Sequence, residues 1–326
     1  MANIRVCARL RPANSKEDGE ALCFTRSDSQ CFTLQDEKDE HYMFSFDKVF
    51  YEDSEQADVY EFLARPIVTD AVKAINGTII TYGQTGAGKT YTMEGAGILE
   101  TDNHKKGLLP RVVDELFEAI NFCGETAAYK IKLSMSGIAN RAVGETQMNM
   151  ASSRSHCIYI FTVQKEVANE KRVSIGKLVL VDLAGSEKVE KTGAEGRVLE
   201  EAKTINKSLS ALGNVINALT SGQQGKANHV PFRDSKLTRI LQDALVSTIV
   251  SFELHLEGGS SQTALLCCCS PCLCNFSESL STLRFGARYI TYLCLELAAS
   301  IVDDDRNDVL FFPYEFIYPF MAEPSI

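Results

Sequence analysis

Gly83-Gln84-Thr85-Gly86-Ala87-Gly88-Lys89-Thr90 is the stretch whose reading decides the fold. It fits G-x-x-x-x-G-K-[ST], and a β-rich run, Thr78-Ile79-Ile80-Thr81-Tyr82, leads straight into it. A strand, such a loop and a following helix make a phosphate cradle. Gly83, Gly86 and Gly88 let backbone amides turn inward and approach phosphate oxygens. The whole octet, with Gln84, Thr85 and Ala87, is therefore the expected nucleotide site. Lys89 adds a point charge near the β/γ-phosphates, and the Thr90 hydroxyl is placed to ligate Mg²⁺. The start of the helix adds partial positive charge. The bland alternative is a glycine-rich turn that matches by accident. Average glycine usage puts such a match on the order of one in a hundred for a chain of this size.

Working outward, Lys177 to Val181 is almost wholly apolar and ends in Asp182. Such a run suits a central strand buried on both faces. An acid at its tip, beside a phosphate loop, is the arrangement that holds magnesium. Leu183-Ala184-Gly185-Ser186-Glu187 follows, and Gly185 is placed to turn its amide toward a γ-phosphate. Asn149-Met150-Ala151-Ser152-Ser153-Arg154-Ser155-His156 is a second polar cluster, dense in hydroxyls; read alone it is also compatible with a solvated loop. Further strands are expected at Ile4 to Leu10, around Phe44 to Phe50, at Cys157 to Val163 and at Thr263 to Cys268. Residues 202–219 carry Ile205, Leu209, Leu212, Ile216 and Leu219 at helical spacing. Strands alternating with helices predict an α/β chain, a mostly parallel or mixed sheet with helices on both faces.

The chain has 326 residues, 45% hydrophobic and 23% charged, with a net charge of −10. Residues 289–326 hold seven acids against Arg306 alone, leaving only −4 for the first 288 residues. The acidic average therefore leaves room for a basic face and an acidic partner. Nothing points to nucleic acid or to membrane insertion. The apolar run Val309 to Met321 is too short to span a bilayer and contains Pro313, Glu315 and Pro319. Cys267, Cys268, Cys269 and Cys272 offer half a zinc pattern at most, because adjacent strand residues point to opposite faces. They read as buried thiols.

Taken together the motifs resemble the kinesin motor domain, most like conventional kinesin. They are Arg9-x-Arg11-Pro12, Tyr82-Gly83-Gln84-Thr85-Gly86-x-Gly88-Lys89-Thr90, Asn149-x-x-Ser152-Ser153-Arg154-Ser155-His156 and Asp182-Leu183-Ala184-Gly185-Ser186-Glu187. The resemblance implies a P-loop ATPase stimulated by microtubules, using ATP and Mg²⁺, located in the cytoplasm on the cytoskeleton. It places Arg9, Arg11 and Pro12 around the adenine, with Tyr91 near the base. Asn149 to His156 becomes switch I, with Ser155 approaching Mg²⁺ and Ser152 or Ser153 approaching the γ-phosphate and water. Asp182 to Glu187 becomes switch II, and an Arg154–Glu187 salt bridge closes the site. The microtubule face would comprise Lys203, Lys207, His229, Arg233, Lys236 and Arg239. From Lys203 to Asp243 the charge is +4, which suits an acidic tubulin surface. A merely solvated surface is the plain alternative.

Three departures from the family pattern shape the expected organisation. Residues 1–288 form the motor-like domain, but several tens of family residues are missing between 135 and 136, so the sheet is expected to be incomplete. Residues 246–257 insert an apolar stretch where the family has a tight turn. After Arg288 no neck linker follows, and 289–326 is an atypical acidic and apolar tail without heptads for a coiled coil. Two rivals accompany the motor reading. One is a non-motile, nucleotide-sensitive microtubule-binding protein. The other is a GTPase switch, but its base-reading N-K-x-D pattern is met only by Asn206-Lys207-Ser208-Leu209, which lacks the acid.

Overall fold

A computed structural model describes residues 4–302, apart from 16, 18, 98–99, 123–126, 138–142, 147–148, 154, 168–171, 189–195, 221–229, 243–244 and 246–261. Only backbone is described at 143–146, 149–153, 196–198, 219–220, 291–302 and at residues 4, 122, 127 and 172. The first strands are β1 (Ile4–Leu10), β2 (Phe24–Arg26), β3 (Cys31–Gln35), β4 (His41–Ser45), β5 (Lys48–Phe50) and β6 (Gly77–Tyr82). They are followed by β7 (Ala127–Ser136), β8 (Val143–Thr146), β9 (Asn149–Ser153), β10 (Cys157–Val167), β11 (Arg172–Asp182) and β12 (Gln262–Cys269). The helices are α1 (Gln56–Val59), α2 (Arg65–Val72), α3 (Lys89–Glu94), α4 (Leu108–Phe122), α5 (Gly196–Thr220) and α6 (Phe276–Val302).

Seven strands form the main sheet in the order β5-β1-β12-β6-β11-β10-β7. The joins from β5 through β11 are parallel; those of β10 to β11 and to β7 are antiparallel. The expected mixed α/β sheet is thus present. All six residues of β6 are buried, as a strand wedged between β12 and β11 requires. The phosphate loop leaves from its end, so it emerges at the carboxyl edge of the parallel strands, where open α/β sheets hold ligands.

Strand alternation divides the apolar residues between two cores. Val6, Ala8, Ile80, Val181, Leu265, Cys267 and Cys269 pack with Leu209, Leu212 and Ile216 of α5 and Leu283 and Phe285 of α6. Cys7, Ile79, Leu178, Leu180, Leu266 and Cys268 pack with Ile67 and Val68 of α2 and Leu108, Val112 and Leu116 of α4. The adjacent cysteines therefore alternate between opposite faces, as strand geometry predicts.

Some elements exceed the sequence reading. The helix expected over 202–219 spans Gly196–Thr220. β10 and β11 run past their apolar centres as an antiparallel hairpin. Their distal parts are more open to water, and Val173 and Ile175 there are exposed apolar residues. The 149–156 cluster includes β9, paired with β8. Lys130 to Met135 lies within β7, the last strand of the sheet, with Leu133 and Met135 exposed. Residues 289–302 continue α6 as helix.

A polar bolt joins the ends of β1 and β12 to the phosphate loop. Arg11 donates to both oxygens of Glu17 at 2.7 and 2.6 Å and, through Nε, to the Gly86 carbonyl at 2.6 Å. Asn275 Nδ2 and Ser270 Oγ each donate to Glu17 Oε1 at 3.1 Å. Gln84 Nε2 donates to Asn275 Oδ1 at 2.8 Å. Burial opposes ionisation of Glu17, but bonds from Arg11 and the Asn14 amide outweigh it and hold the carboxyl at about 2, below its usual 4.5. A depressed acid stabilises the fold at pH above its unfolded value, and this contribution disappears as pH falls through the folded one.

Two outcomes follow from this packing. Leu180, fully buried in β11, should cost about 2–5 kcal/mol when changed to Ala, read by denaturant unfolding. Between pH 4.5 and about 2 the wild type should lose stability that Glu17→Gln no longer has to lose, so the two unfolding profiles should converge toward the acid end.

Candidate nucleotide site and its switches

The phosphate loop is shaped by three glycines with positive φ: Gly83 (145°), Gly86 (79°) and Gly88 (94°). At Gly83 a side chain is also excluded by space, because a Cβ would lie 2.1 Å from the Cys268 carbonyl oxygen. The loop therefore sits directly on β12. Lys89, which begins α3, is buried, and its Nζ donates to the Gln84 carbonyl at 2.7 Å. That bond arches the side chain back across the loop. Ala87 and Gln84 are buried beneath it.

The register of β6 against β11 sets Thr81 beside Asp182. Thr81 donates to Asp182 Oδ1 at 3.3 Å, and Thr90 donates to Asp182 Oδ2 at 2.7 Å. Asp182 is fully buried. The two residues expected to hold a metal are thus brought together as two hard oxygen donors. Ser155, the third expected ligand, donates its hydroxyl to the Gly137 carbonyl at 3.1 Å.

Switch II is stitched to the loop. The Ser186 amide donates to the Gly83 carbonyl at 3.1 Å. Both oxygens of Glu187 are held by Thr85, one by its amide at 2.7 Å and one by its hydroxyl at 2.6 Å. A Cβ at Gly185 would strike both Glu187 and Thr85, at 2.1 and 2.3 Å, so the backbone passes close to the loop there. The described partner of Glu187 is therefore Thr85. Arg154 lies outside the described residues, as do the side chains of Ser152 and Ser153.

On the base side, Arg9 is buried and donates to Gln56 Oε1 at 2.6 Å and Thr92 Oγ1 at 2.8 Å. Burial lowers its pKa from the usual arginine range. Its guanidinium lies 5.9 Å from the ring centroid of Tyr91, which is itself exposed. Gln56 Nε2 donates to the Tyr91 carbonyl at 2.6 Å. Arg11 and Pro12 lie beside Gly86, with Arg11 also donating to the Pro12 carbonyl at 2.8 Å. The four expected adenine-side residues thus gather at one end of the loop.

His156 stands out in the sequence only as the last residue of a motif, yet its ring bridges two other segments. Its Nδ1 accepts from the Ala184 amide at 3.0 Å, and its Nε2 lies 2.7 Å from Ser208 Oγ on α5. Burial, and then the charge on Lys89, push its pKa down to about 4. Asn206 on the same helix donates to the Glu187 carbonyl at 3.1 Å.

On the outer surface Lys203, Lys207, Arg233, Lys236 and Arg239 are all exposed. Lys203 pairs with Glu200 at 2.9 Å across one helical turn. Beneath the basic residues Phe232, Leu237 and Leu241 pack into the α5 core. His229 lies outside the described residues.

Sequence reasoning misses Glu17, Gln56, Ser270 and Asn275. They carry no shared motif; the return of β12 beside β1 brings Ser270 and Asn275 to Glu17, while Gln56 reaches Arg9 and Tyr91 from α1.

The Kinesin motor domain family matches the chain over two overlapping segments, residues 9–140 and 125–291. The chain is 55% identical to kinesin-like protein KIN-1 of Arabidopsis thaliana over 342 residues, covering 88% of this chain and 71% of the relative. It is 39% identical to the kinesin heavy chain of Drosophila melanogaster, covering 88% of this chain and 33% of that one. Among solved structures it resembles a fast kinesin with a TM-score of 0.74 at 39% identity, over 88% of this chain and 91% of that one. It also resembles a two-heads-bound kinesin dimer with AMP-PNP in complex with a microtubule. That match has a TM-score of 0.75 at 27% identity, over 89% and 93% of the two chains. The motifs, the sheet that aligns them and these matches agree, and the chain belongs to the kinesin motor domain family.

Proposed function

We propose that this chain is an ATP-hydrolysing motor core that binds microtubules and couples hydrolysis to microtubule-based movement. The carrying observation is the convergence of Thr90, Asp182 and Glu187 on one phosphate loop, at hydrogen bonds of 2.6–2.7 Å. In this reading ATP lies along residues 83–90, with Arg9, Arg11, Pro12 and Tyr91 on its base side. Thr90 and Asp182 fit Mg²⁺, a hard cation that takes oxygen ligands, and Ser155 is the third candidate. When bound, the ion neutralises charge on the β- and γ-phosphates.

The chain's own residues do the remaining work. Lys89 compensates phosphate charge from a buried position, where each charge acts more strongly than in water. The Gly185 amide senses the γ-phosphate, and Ser152 or Ser153 approaches the γ-phosphate and orients the attacking water. Arg154 and Glu187 close the site and exclude bulk water. A carboxylate offers about four lone-pair directions, so Glu187 can accept from Thr85 and from Arg154 together. The exposed bases Lys203, Lys207, Arg233, Lys236 and Arg239, with His229, supply the microtubule face. The similar two-heads-bound kinesin dimer is in complex with a microtubule. That supports the same partner here, and a cytoplasmic, microtubule-associated location follows from it.

A second reading, nucleotide-sensitive microtubule binding without motility, has two observations behind it. The helix α6 continues through Val302, where an extended neck linker would serve as a lever. The family also matches in two overlapping segments, and a 342-residue alignment covers only 88% of 326 residues. Both support a stretch of several tens of residues missing near 135/136, with 1–288 as the motor-like domain and 289–326 as an atypical tail. Microtubule gliding by the purified full chain separates the readings. Microtubule-stimulated phosphate release with movement supports the first, and co-sedimentation with microtubules without stimulated release supports the second.

Two substitutions test the site itself. Lys89→Ala should weaken ATP binding by roughly 100-fold, measured by displacement of a fluorescent nucleotide; retained affinity contradicts the phosphate role. Glu187→Ala should leave nucleotide affinity largely intact but slow single-turnover hydrolysis by about 10²-fold. An unchanged rate would contradict the closing role.

A further inference from the structure

The imidazole of His156 connects three chain segments that are far apart in sequence. It stands immediately before β10, where the 149–156 segment ends. A backbone amide can only donate, so the bond from Ala184 N–H fixes Nδ1 as the acceptor. The ring proton is then on Nε2 and is donated to Ser208 Oγ at 2.7 Å. Ser208 in turn donates to the Ile205 carbonyl at 2.7 Å. Every bond runs in one direction, from the switch II backbone through the ring into α5. A cationic ring would set one N–H against another at Ala184, so the bond to Nδ1 requires the neutral ring.

Ala184 immediately precedes Gly185. The amide proposed to sense the γ-phosphate is therefore one peptide away from the one that His156 holds. Ser208 sits on α5 between the exposed Lys207 and the buried Leu209. An aromatic ring has few torsions to absorb a displacement, and an ordered polar chain transmits position well.

Resting on the motor reading above, we propose that His156 is a positioning residue that fixes α5 to the switch II backbone through Ser208. It works in parallel with the Asn206–Glu187 carbonyl bond. Its described bonds go to Ala184 and Ser208, so the role assigned to it is in coupling.

The test is hydrogen exchange on the full chain with Mg²⁺ and either AMP-PNP or ADP, alongside basal ATP turnover. In the wild type, segments 183–187 and 200–212 should change protection together between the two nucleotides. Ser208→Ala is a mild change in a helix and should keep basal turnover near the wild-type rate. It should reduce the nucleotide response of 200–212 by about fivefold or more, while 183–187 still responds. Ser208→Thr, which restores a hydroxyl, should recover the response. His156→Asn, which can keep the acceptor at Ala184 but does not reach Ser208, should reduce the response of 200–212 to a similar degree. An equal α5 response in wild type and Ser208→Ala, with 83–90 protected by nucleotide, overturns the joint alone. No nucleotide protection at 83–90 in the wild type overturns the nucleotide reading and the joint with it.

Discussion

The parallel pairing of β6 with β11 is the constraint on which the rest of the structure depends. Its register sets Thr81 opposite Asp182, at the edge where both strands deliver their loops. From that point two things are fixed at once. Thr90, on the first turn after the phosphate loop, meets the Asp182 carboxylate. The segment after Asp182 must then pass over the loop, which brings Ser186 to Gly83 and Glu187 to Thr85. A one-residue slip would turn Asp182 to the opposite face of the sheet and separate the acid from the hydroxyl. The apolar residues on both faces of the strands hold that register, since each face has its own core to fill.

Around this pairing the protein uses buried polar bonds sparingly and in closed sets. Glu17 is acceptable in a poorly solvated place because Arg11, Ser270, Asn275 and the Asn14 amide all donate to it. The set reaches the phosphate loop at Gly86 and Gln84, so the loop is braced from the base side as well as by switch II. His156 forms a smaller set with Ala184 and Ser208. Each set joins residues that would be costly to bury alone.

Much of this was legible in the sequence because its signals were local. The glycine spacing of 83–90 needs only eight consecutive residues, and the apolar run ending in Asp182 needs six. The strands at β1, β6 and β12 and the face of α5 were equally plain from alternation and helical spacing. What was not legible depends on tertiary return. The distal half of β11 does alternate, with Val173 and Ile175 apolar, but both side chains are exposed; the long pairing with β10 is what carries the two strands that far. Glu17 and Asn275 are 258 positions apart, and nothing in either neighbourhood predicts the other. The expected partner of Glu187 came from a family resemblance. That partner, Arg154, lies outside the described residues; the described geometry adds Thr85, a neighbour that the glycine-rich loop presents through its own backbone.

The strand β7 closes the sheet on one side, and its composition bears on how the molecule behaves in a crowded solution. Exposed sheet edges invite other chains to add on. Here Lys130 and Lys132 alternate with Ile131, Leu133 and Met135 along that strand. A chain adding to this edge would gain apolar contact with Leu133 and Met135, but it would have to strip water from two ammonium groups. Two copies pairing through this edge would also bring lysines together, a repulsion that weakens as added salt shortens the Debye length, to about 3 Å at 1 M. The guard on this edge is thus tied in part to ionic strength through Lys130 and Lys132.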